Sequence, residues 1–170
     1  RGEVEQVIAN LQEGKAGERG EKYVIAQFFV LACIVLGGVP YAQDAVTFVF
    51  GPCSVLAGIA IIIAGVVELR GTLSVWVVPS SSGQLKTGGI FEYIRHPLYL
   101  GLLVSSLGLS IATGSAARLV LTLVLAAILD RKATEEERAL RAKFPEYSDY
   151  CEKVQAKIFP SLDQFAERYS

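Results

Sequence analysis

The sequence from Tyr23 to Val67 is almost free of charge, and this apolar run limits the possible folds more than any other feature. Apart from tyrosines and cysteines, Asp44 is its only ionisable residue. A helix needs roughly 20 apolar residues to cross the hydrocarbon core of a bilayer, so the run can hold two crossings. Hydrophobic residues make up 52% of the chain, a high share for a small soluble domain that must cover its core with polar surface. The sequence therefore predicts an integral membrane protein.

Four apolar segments are predicted to form transmembrane helices. The first two are about Tyr23–Val39 and Ala45–Val67. The next apolar run, Leu98–Leu129, has 32 residues. One helix of that length would extend roughly 48 Å, which is too long for a single crossing. The polar residues in its middle predict a turn that divides it into Leu98–Ala112 and Ala116–Leu129. The expected fold is therefore all-α and polytopic, with about four transmembrane helices and a helical C-terminal tail.

The distribution of basic residues indicates one orientation in the membrane. The amino-terminal segment, the connection between the second and third helices and the tail after Asp130 carry all of them except Arg118. This asymmetry predicts that both termini lie on the cytoplasmic side, or in the equivalent compartment. Residues 1–22 are polar, with apolar side chains at helical spacing near their start, and are expected to include a short interfacial helix. Residues 23–170 would then form the membrane domain.

The composition argues against several classes of function. With a net charge of -1, the chain has no basic stripe to neutralise the phosphates of a nucleic acid. One histidine and three scattered cysteines without a C-x-x-C spacing predict that no metal is bound. No ionisable residue lies in the middle of a predicted span, which argues against ion transport.

The sequence is compatible with several compartments and with more than one origin of its first residue. The chain begins with Arg1 and contains no methionine, so it is expected to be a fragment or a processed product. The endoplasmic reticulum, the bacterial inner membrane and an organellar membrane such as that of the chloroplast all fit the composition.

Small residues recur along the third predicted helix. Gly101, Ser105, Gly108 and Ala112 follow one another at spacings of four and three residues, which places them on one face. In a membrane such a stripe lets two helix backbones approach closely, so these residues are expected to serve packing.

Polar residues concentrate at the two ends of the last apolar hairpin. His96, the only histidine, precedes Pro97 where the third helix is expected to begin, with Tyr93 and Tyr99 three residues away on either side. In a helix, these two tyrosines and His96 would share a face. The acidic run 135–137 follows the fourth predicted span. Both positions fall on one membrane face, and together they indicate a functional site.

Each of these features also has a purely structural interpretation. A lone interfacial histidine is more often inert than functional, and interfacial tyrosines commonly anchor a helix at the membrane surface. Thr134 with Glu137 has the spacing of a capping box, which would start a new helix at Thr134. The functional interpretation rests on their occurrence together.

Residues 85–101, which read LKTGGIFEYIRHPLYLG, resemble the signature of the isoprenylcysteine carboxyl methyltransferase and phospholipid methyltransferase family. That signature is approximately L-x-T-x-G-x-[FY]-x-Y-x-R-H-P-x-Y-x-G. Residues 136–160 resemble the family's second motif, E-E-x-x-L followed by F-G-x-x-Y-x-x-Y and a proline. The resemblance covers about residues 76–160, half of the chain.

The resemblance implies a methyltransferase that uses S-adenosylmethionine and acts on a lipid-borne acceptor entering from the bilayer. It places the cofactor near both motifs, with the helical tail contributing to its site. The residues that it assigns to the cofactor are Lys86, Gly88, Gly89, Tyr93, His96, Tyr99, Glu136 and Glu137. Arg95 and Glu137 are the expected catalytic residues, and Arg95 could hold an acceptor carboxylate through two hydrogen bonds. Tyrosine faces could stabilise the sulfonium by cation–π attraction.

The motifs indicate the methyl acceptor less directly than they indicate the cofactor. The carboxylate of a prenylated cysteine is the first expectation. A phospholipid or another lipid amine is the alternative acceptor, and a membrane scaffold without catalytic activity is the alternative function. Two departures from the family pattern bear on this choice. Phe144-Pro145 replaces F-G, and the arginines expected after the second tyrosine are missing, with Lys153 and Lys157 the only cations nearby. Lysine lacks the planar fork that grips a carboxylate.

Overall fold

The computed structural model describes residues 21–36, 45–69 and 85–160, and these residues form helices and turns without a strand. This confirms the all-α prediction for the described ranges. The elements, in chain order, are α1 (Glu21–Leu36), α2 (Ala45–Leu69), a short 3-10 helix (Gly89–Glu92), α3 (Pro97–Ala112), α4 (Ala116–Lys143) and α5 (Tyr147–Lys153).

The turn predicted between the third and fourth apolar segments is present. Helix α3 ends at Ala112, and Gly114 follows in the left-handed region with φ 57°. Glycine adopts this backbone conformation without the clash that a Cβ would cause. Ser115 then caps α4, since its hydroxyl accepts a hydrogen bond from the backbone N–H of Arg118 at 3.3 Å.

Helix α4 is much longer than the predicted fourth span. It continues without a break from Ala116 to Lys143 and therefore carries the acidic run on its second half. The capping-box interpretation of Thr134 is wrong, because Thr134 lies inside the helix and donates its hydroxyl to the carbonyl of Asp130 at 2.9 Å. This stretch holds good helix formers and neither glycine nor proline, so nothing ends the helix where the composition turns polar. Beyond Leu129 the helix extends by roughly 20 Å.

The stripe of small residues on α3 packs directly against α2. A Cβ atom on Gly58 would lie 2.5 Å from the carbonyl oxygen of Gly101, and one on Gly108 would lie 2.7 Å from that of Gly51. These are backbone atoms, so the two helices touch along their main chains. The prediction that the stripe serves close packing is confirmed, and its partner is α2.

Successive helices run in opposite directions. At one end, Gly51 near the start of α2 meets Ala112 at the end of α3. At the same end Arg118 of α4 donates to the carbonyl of Ile34, near the end of α1, at 2.6 Å. The opposite end therefore gathers the start of α1, the end of α2, the start of α3 and the second half of α4.

The outer faces of the helices are strongly apolar. Phe28, Phe48 and Val120 are among the large apolar side chains with more than half of their surface exposed. In the described ranges, Thr47–Leu69 is long and apolar enough to cross a bilayer alone, and α3 is a shorter apolar helix. The predicted crossings by α1, α3 and α4 stay predictions.

Several expectations fall outside the described residues. These include most of the interfacial segment 1–22, the connection 70–84 with the start of the motif region, and the tail after Pro160.

Candidate functional site

The backbone before α3 is fixed by the segment that follows α5. The N–H of Arg95 donates to the carbonyl of Ala156, and the N–H of His96 to that of Lys157, both at 2.9 Å. His96 is the N-cap of α3, with Pro97 at the first helical position. The two motifs that are distant in sequence are thus joined directly by main-chain hydrogen bonds.

Aromatic and charged side chains hold this C-terminal segment in place. The hydroxyl of Tyr150 donates to the carbonyl of Phe91 at 2.6 Å. Burial raises the pKa of Tyr147 and Tyr150, so both hydroxyls stay protonated at neutral pH. Lys157 donates to the carboxylate of Asp130 and to the hydroxyl of Thr134, each at 2.7 Å. Lys157, one of the two cations near the missing family arginines, therefore links the tail to α4.

Glu137 lies at the centre of the site, with its side chain 6% exposed. One carboxylate oxygen accepts from Nε of Arg95 at 2.9 Å and is 3.2 Å from Nε2 of His96. The other accepts from Arg141 at 3.2 Å. Burial by itself would raise the pKa of Glu137, but the His96 hydrogen bond and the charge of Arg95 outweigh it and lower the pKa to about 2. An ionised carboxylate only accepts, so His96 must donate from Nε2.

Glu136 forms the second half of the site. The hydroxyl of Tyr99 donates to it at 2.5 Å, and Nδ1 of His96 lies 3.5 Å from its other oxygen. Lys132, one helical turn earlier, is 3.8 Å away. Burial raises the pKa of Glu136, while the charges of His96 and Lys132 and the Tyr99 hydrogen bond oppose that rise. The rings of His96 and Tyr99 stack with centroids 5.2 Å apart. The imidazole therefore lies between the two carboxylates and is oriented by both.

Arg95 connects the site to the tail. Besides Glu137, its guanidinium donates to the carbonyls of Val154 at 2.7 Å and Gln155 at 3.3 Å. Two of its three nitrogens are therefore engaged within the protein. A two-point grip on an acceptor carboxylate stays a prediction, and it would require some of these bonds to open.

Five of the predicted site residues come together: Arg95, His96, Tyr99, Glu136 and Glu137.

For the other predicted site residues, the described contacts are with different side chains, and their role in binding stays a prediction. Tyr93 does not share a helix with His96, because His96 has non-helical dihedral angles (φ -124°, ψ 65°) and Tyr93 ends the 3-10 helix. Tyr93 packs against the main core. Gly89, at φ 60°, lies against the carboxylate of Glu68, near the end of α2. Within the described ranges, no hydrogen bond or ion pair joins Lys86 to the five residues.

Sequence reasoning missed Lys132, Gln27, Arg141 and Glu68. Lys132 and Arg141 had a usable signal, because each lies four residues from a predicted site glutamate on one helix. Gln27 and Glu68 had none, since they reach the site region from α1 and α2 through tertiary contacts.

The chemistry of this group suits a ligand with both positive and negative charge. Glu136 and Glu137 offer carboxylate oxygens, the ring of Tyr99 offers an aromatic surface, and Arg141, with its side chain 47% exposed, offers a cation to a carboxylate. S-adenosylmethionine carries an ammonium, a sulfonium and a carboxylate, so the residues present fit it. In the described part of the chain, no three histidine, cysteine or acidic side chains are grouped to hold a metal ion.

Comparison with known proteins gives one family match. Residues 46–146 match the model of the family described as "Phospholipid methyltransferase". This range contains α2, α3, α4 and the connections between them, but not α1 or α5.

The chain is also similar to curated proteins. A protein-S-isoprenylcysteine O-methyltransferase of Schizosaccharomyces pombe is 36% identical over 76 residues, 44% of this chain and 32% of that protein. The cobalt-zinc-cadmium resistance protein CzcN of Cupriavidus metallidurans is 32% identical over 93 residues, 54% of this chain and 43% of that protein. A mouse Delta(14)-sterol reductase is 32% identical over 87 residues, 49% of this chain and 21% of that protein. The matches thus span less than half the length of each relative.

Proposed function

The chain belongs to the phospholipid methyltransferase family, and from this premise we propose that it transfers a methyl group from S-adenosylmethionine to a lipid-borne acceptor. The observation that carries the proposal is the buried cluster around Glu137, in which His96 and Arg95 of one motif meet the acidic pair of the other. The cluster lies where the apolar helix α3 begins, so a lipid could reach it from the bilayer.

Glu136, Glu137, His96, Tyr99 and Arg141 are the residues that would hold the cofactor. When bound, S-adenosylmethionine supplies a methyl group that is already activated for transfer. The protein's part is therefore mainly positioning, which can supply roughly 7–11 kcal/mol towards a barrier when the geometry is well ordered. Glu137 and Glu136 hold the His96 ring from both sides, and Arg95 fixes the tail beside it.

We propose the carboxylate of a prenylated cysteine as the acceptor. The similarity to the fission-yeast isoprenylcysteine O-methyltransferase supports this choice. A carboxylate is ionised at neutral pH and needs no general base. The family description supports the second candidate, a phospholipid amine, which must lose a proton before or during transfer. Glu136, whose pKa burial raises, is the group in the cluster best suited to receive it.

A methyl-transfer assay with paired acceptors tests this proposal. Membranes that contain the protein and labelled S-adenosylmethionine are expected to methylate a farnesylated cysteine with a free carboxylate, and the product should be a base-labile ester. The same compound with its carboxylate amidated is the matched control. A base-stable product on phosphatidylethanolamine would instead establish the amine acceptor. Cofactor binding without transfer to any lipid would contradict the proposed reaction.

We further propose four transmembrane helices, with residues 1–22, 70–95 and 130–170 on one side. The alternating helix directions and the exposed apolar faces support this arrangement. In a variant without Cys33, Cys53 and Cys151, single cysteines at Ser82 and Ser115 are expected to react with a membrane-impermeant reagent from opposite sides. Labelling of both positions from one side would contradict the topology.

A further inference from the structure

Lys132 is a buried cation that the sequence motifs do not include. Its residue is 3% exposed, and its ammonium group donates to the amide oxygen of Gln27 at 3.1 Å. The same ammonium lies 5.1 Å from the ring centroid of Tyr99 and 3.8 Å from the carboxylate of Glu136. Lys132 thus contacts both partners of the short Tyr99–Glu136 hydrogen bond.

Gln27 brings α1 into the site. It is itself buried, at 7% exposure, and lies on the helix that the family match does not include. Near the far end of α1, Arg118 donates to the carbonyl of Ile34 at 2.6 Å. Buried cations of α4 therefore contact α1 at two points, and of these two contacts the one through Gln27 lies at the site.

We propose that Gln27 and Lys132 are positioning residues that hold Glu136 and Tyr99 in the geometry required for S-adenosylmethionine. This inference rests on the proposed function. The amide oxygen of Gln27 accepts one ammonium hydrogen and so fixes the position of the other two beside the ring and the carboxylate. Without the amide, the lysine could move towards solvent, and Glu136 would lose the cation next to it.

The charges around Glu136 show what Lys132 contributes. Glu136 faces His96 and Tyr99 of α3, and Lys132 and Glu137 of its own helix. Burial raises the pKa of Glu136, the cations oppose that rise, and Glu137 adds to it. Removing the cation at Lys132 should therefore favour the protonated form of Glu136. Burial also lowers the pKa of Lys132, and the charge of Glu136 opposes this lowering. Each group therefore favours the charged form of the other.

Equilibrium binding of S-adenosylmethionine to the purified full chain is the first test. Both substitutions remove the hydrogen bond between the Lys132 ammonium and the Gln27 amide. Lys132→Met is therefore expected to weaken binding about tenfold to a hundredfold, and Gln27→Leu about tenfold. Lys132→Arg should restore most of the affinity. Arg131→Met is the matched control, because Arg131 is the exposed neighbour on the same helix and its loss changes the net charge equally.

Infrared spectroscopy of the ligand-free protein is the second test and does not depend on the cofactor. The protonated carboxyl band of Glu136, identified by its loss in Glu136→Gln, should appear at higher pH in Lys132→Met than in the wild type. Arg131→Met should leave it unchanged.

The outcomes distinguish the positioning role of Gln27 and Lys132 from the proposed function. Wild-type affinity in folded Lys132→Met and Gln27→Leu would overturn the inference and leave the proposed function intact. An unchanged Glu136 band in Lys132→Met would also overturn it, even if that variant binds weakly through partial unfolding. A wild-type protein that does not bind S-adenosylmethionine would overturn both.

Discussion

Glu137→Ala is expected to reduce the affinity for S-adenosylmethionine and the rate of methyl transfer by at least about a hundredfold. The substitution removes the common acceptor of Arg95, His96 and Arg141. Breaking a buried charged pair lowers the free energy of unfolding by about 3–5 kcal/mol, because the remaining charge loses its partner. Titration calorimetry measures the binding, and labelled methyl transfer measures the rate.

Glu135→Ala is the matched control for this prediction. Glu135 belongs to the same acidic run, but its ion pair with Arg138 lies at the surface, with side chains 36% and 74% exposed. Such a pair contributes about 0–1 kcal/mol, so this variant should behave like the wild type. Equal losses in both variants, or none in Glu137→Ala, would contradict the assigned role of Glu137.

The same carboxylate gives a pH signature. Its pKa falls from 4.5 to about 2 on folding, so the native state favours the ionised form. This stabilisation is present above the unfolded pKa and is lost as the pH falls from about 4.5 towards 2. This contribution to the free energy of unfolding is about 3 kcal/mol. Thermal unfolding in detergent should show this loss in the wild type, and it should be much smaller in Glu137→Gln.

Gly58→Leu is expected to prevent formation of the folded protein. At this position a Cβ would lie 2.5 Å from the carbonyl oxygen of Gly101 and 2.6 Å from the backbone nitrogen of Ser105. Both atoms belong to the backbone of α3, so no side-chain movement can make room. The helices would have to separate and lose the packing that drives their association in a membrane. Size-exclusion chromatography and thermal unfolding in detergent would show the loss.

The control for this prediction is the neighbouring residue Ala57, which is exposed while Gly58 is buried. Ala57→Leu therefore adds nearly the same bulk, three carbons instead of four, at an open position and should leave folding unchanged. Gly101→Leu should reproduce the defect from the other helix, because its Cβ would meet the carbonyl of Gly58 at 2.7 Å. A Gly58→Leu protein with the unfolding temperature of the wild type would refute the close packing of α2 and α3.

Local sequence patterns determined the helical class, the turn between α3 and α4 and the face on which the small residues lie. Each depends on residues within a few positions of one another: an apolar run, a glycine with a following serine cap, or a four-residue spacing. The two motifs are also readable from the sequence, and they include the five residues that meet among the nine that were predicted. The end of α4 was missed because a change from apolar to polar composition does not interrupt a helix.

Tertiary structure alone decided how those residues are connected. No spacing indicates that Val154 accepts a hydrogen bond from Arg95, that Tyr93 faces the core, or that Gln27 holds Lys132 from 105 positions away. Such contacts arise when elements pack and buried polar groups must find partners among whatever side chains the packing brings near. A carboxylate pair and the cations one turn away on its helix can therefore be recognised in a sequence, while partners on other elements, such as the Gln27 amide, are known only once the helices are assembled.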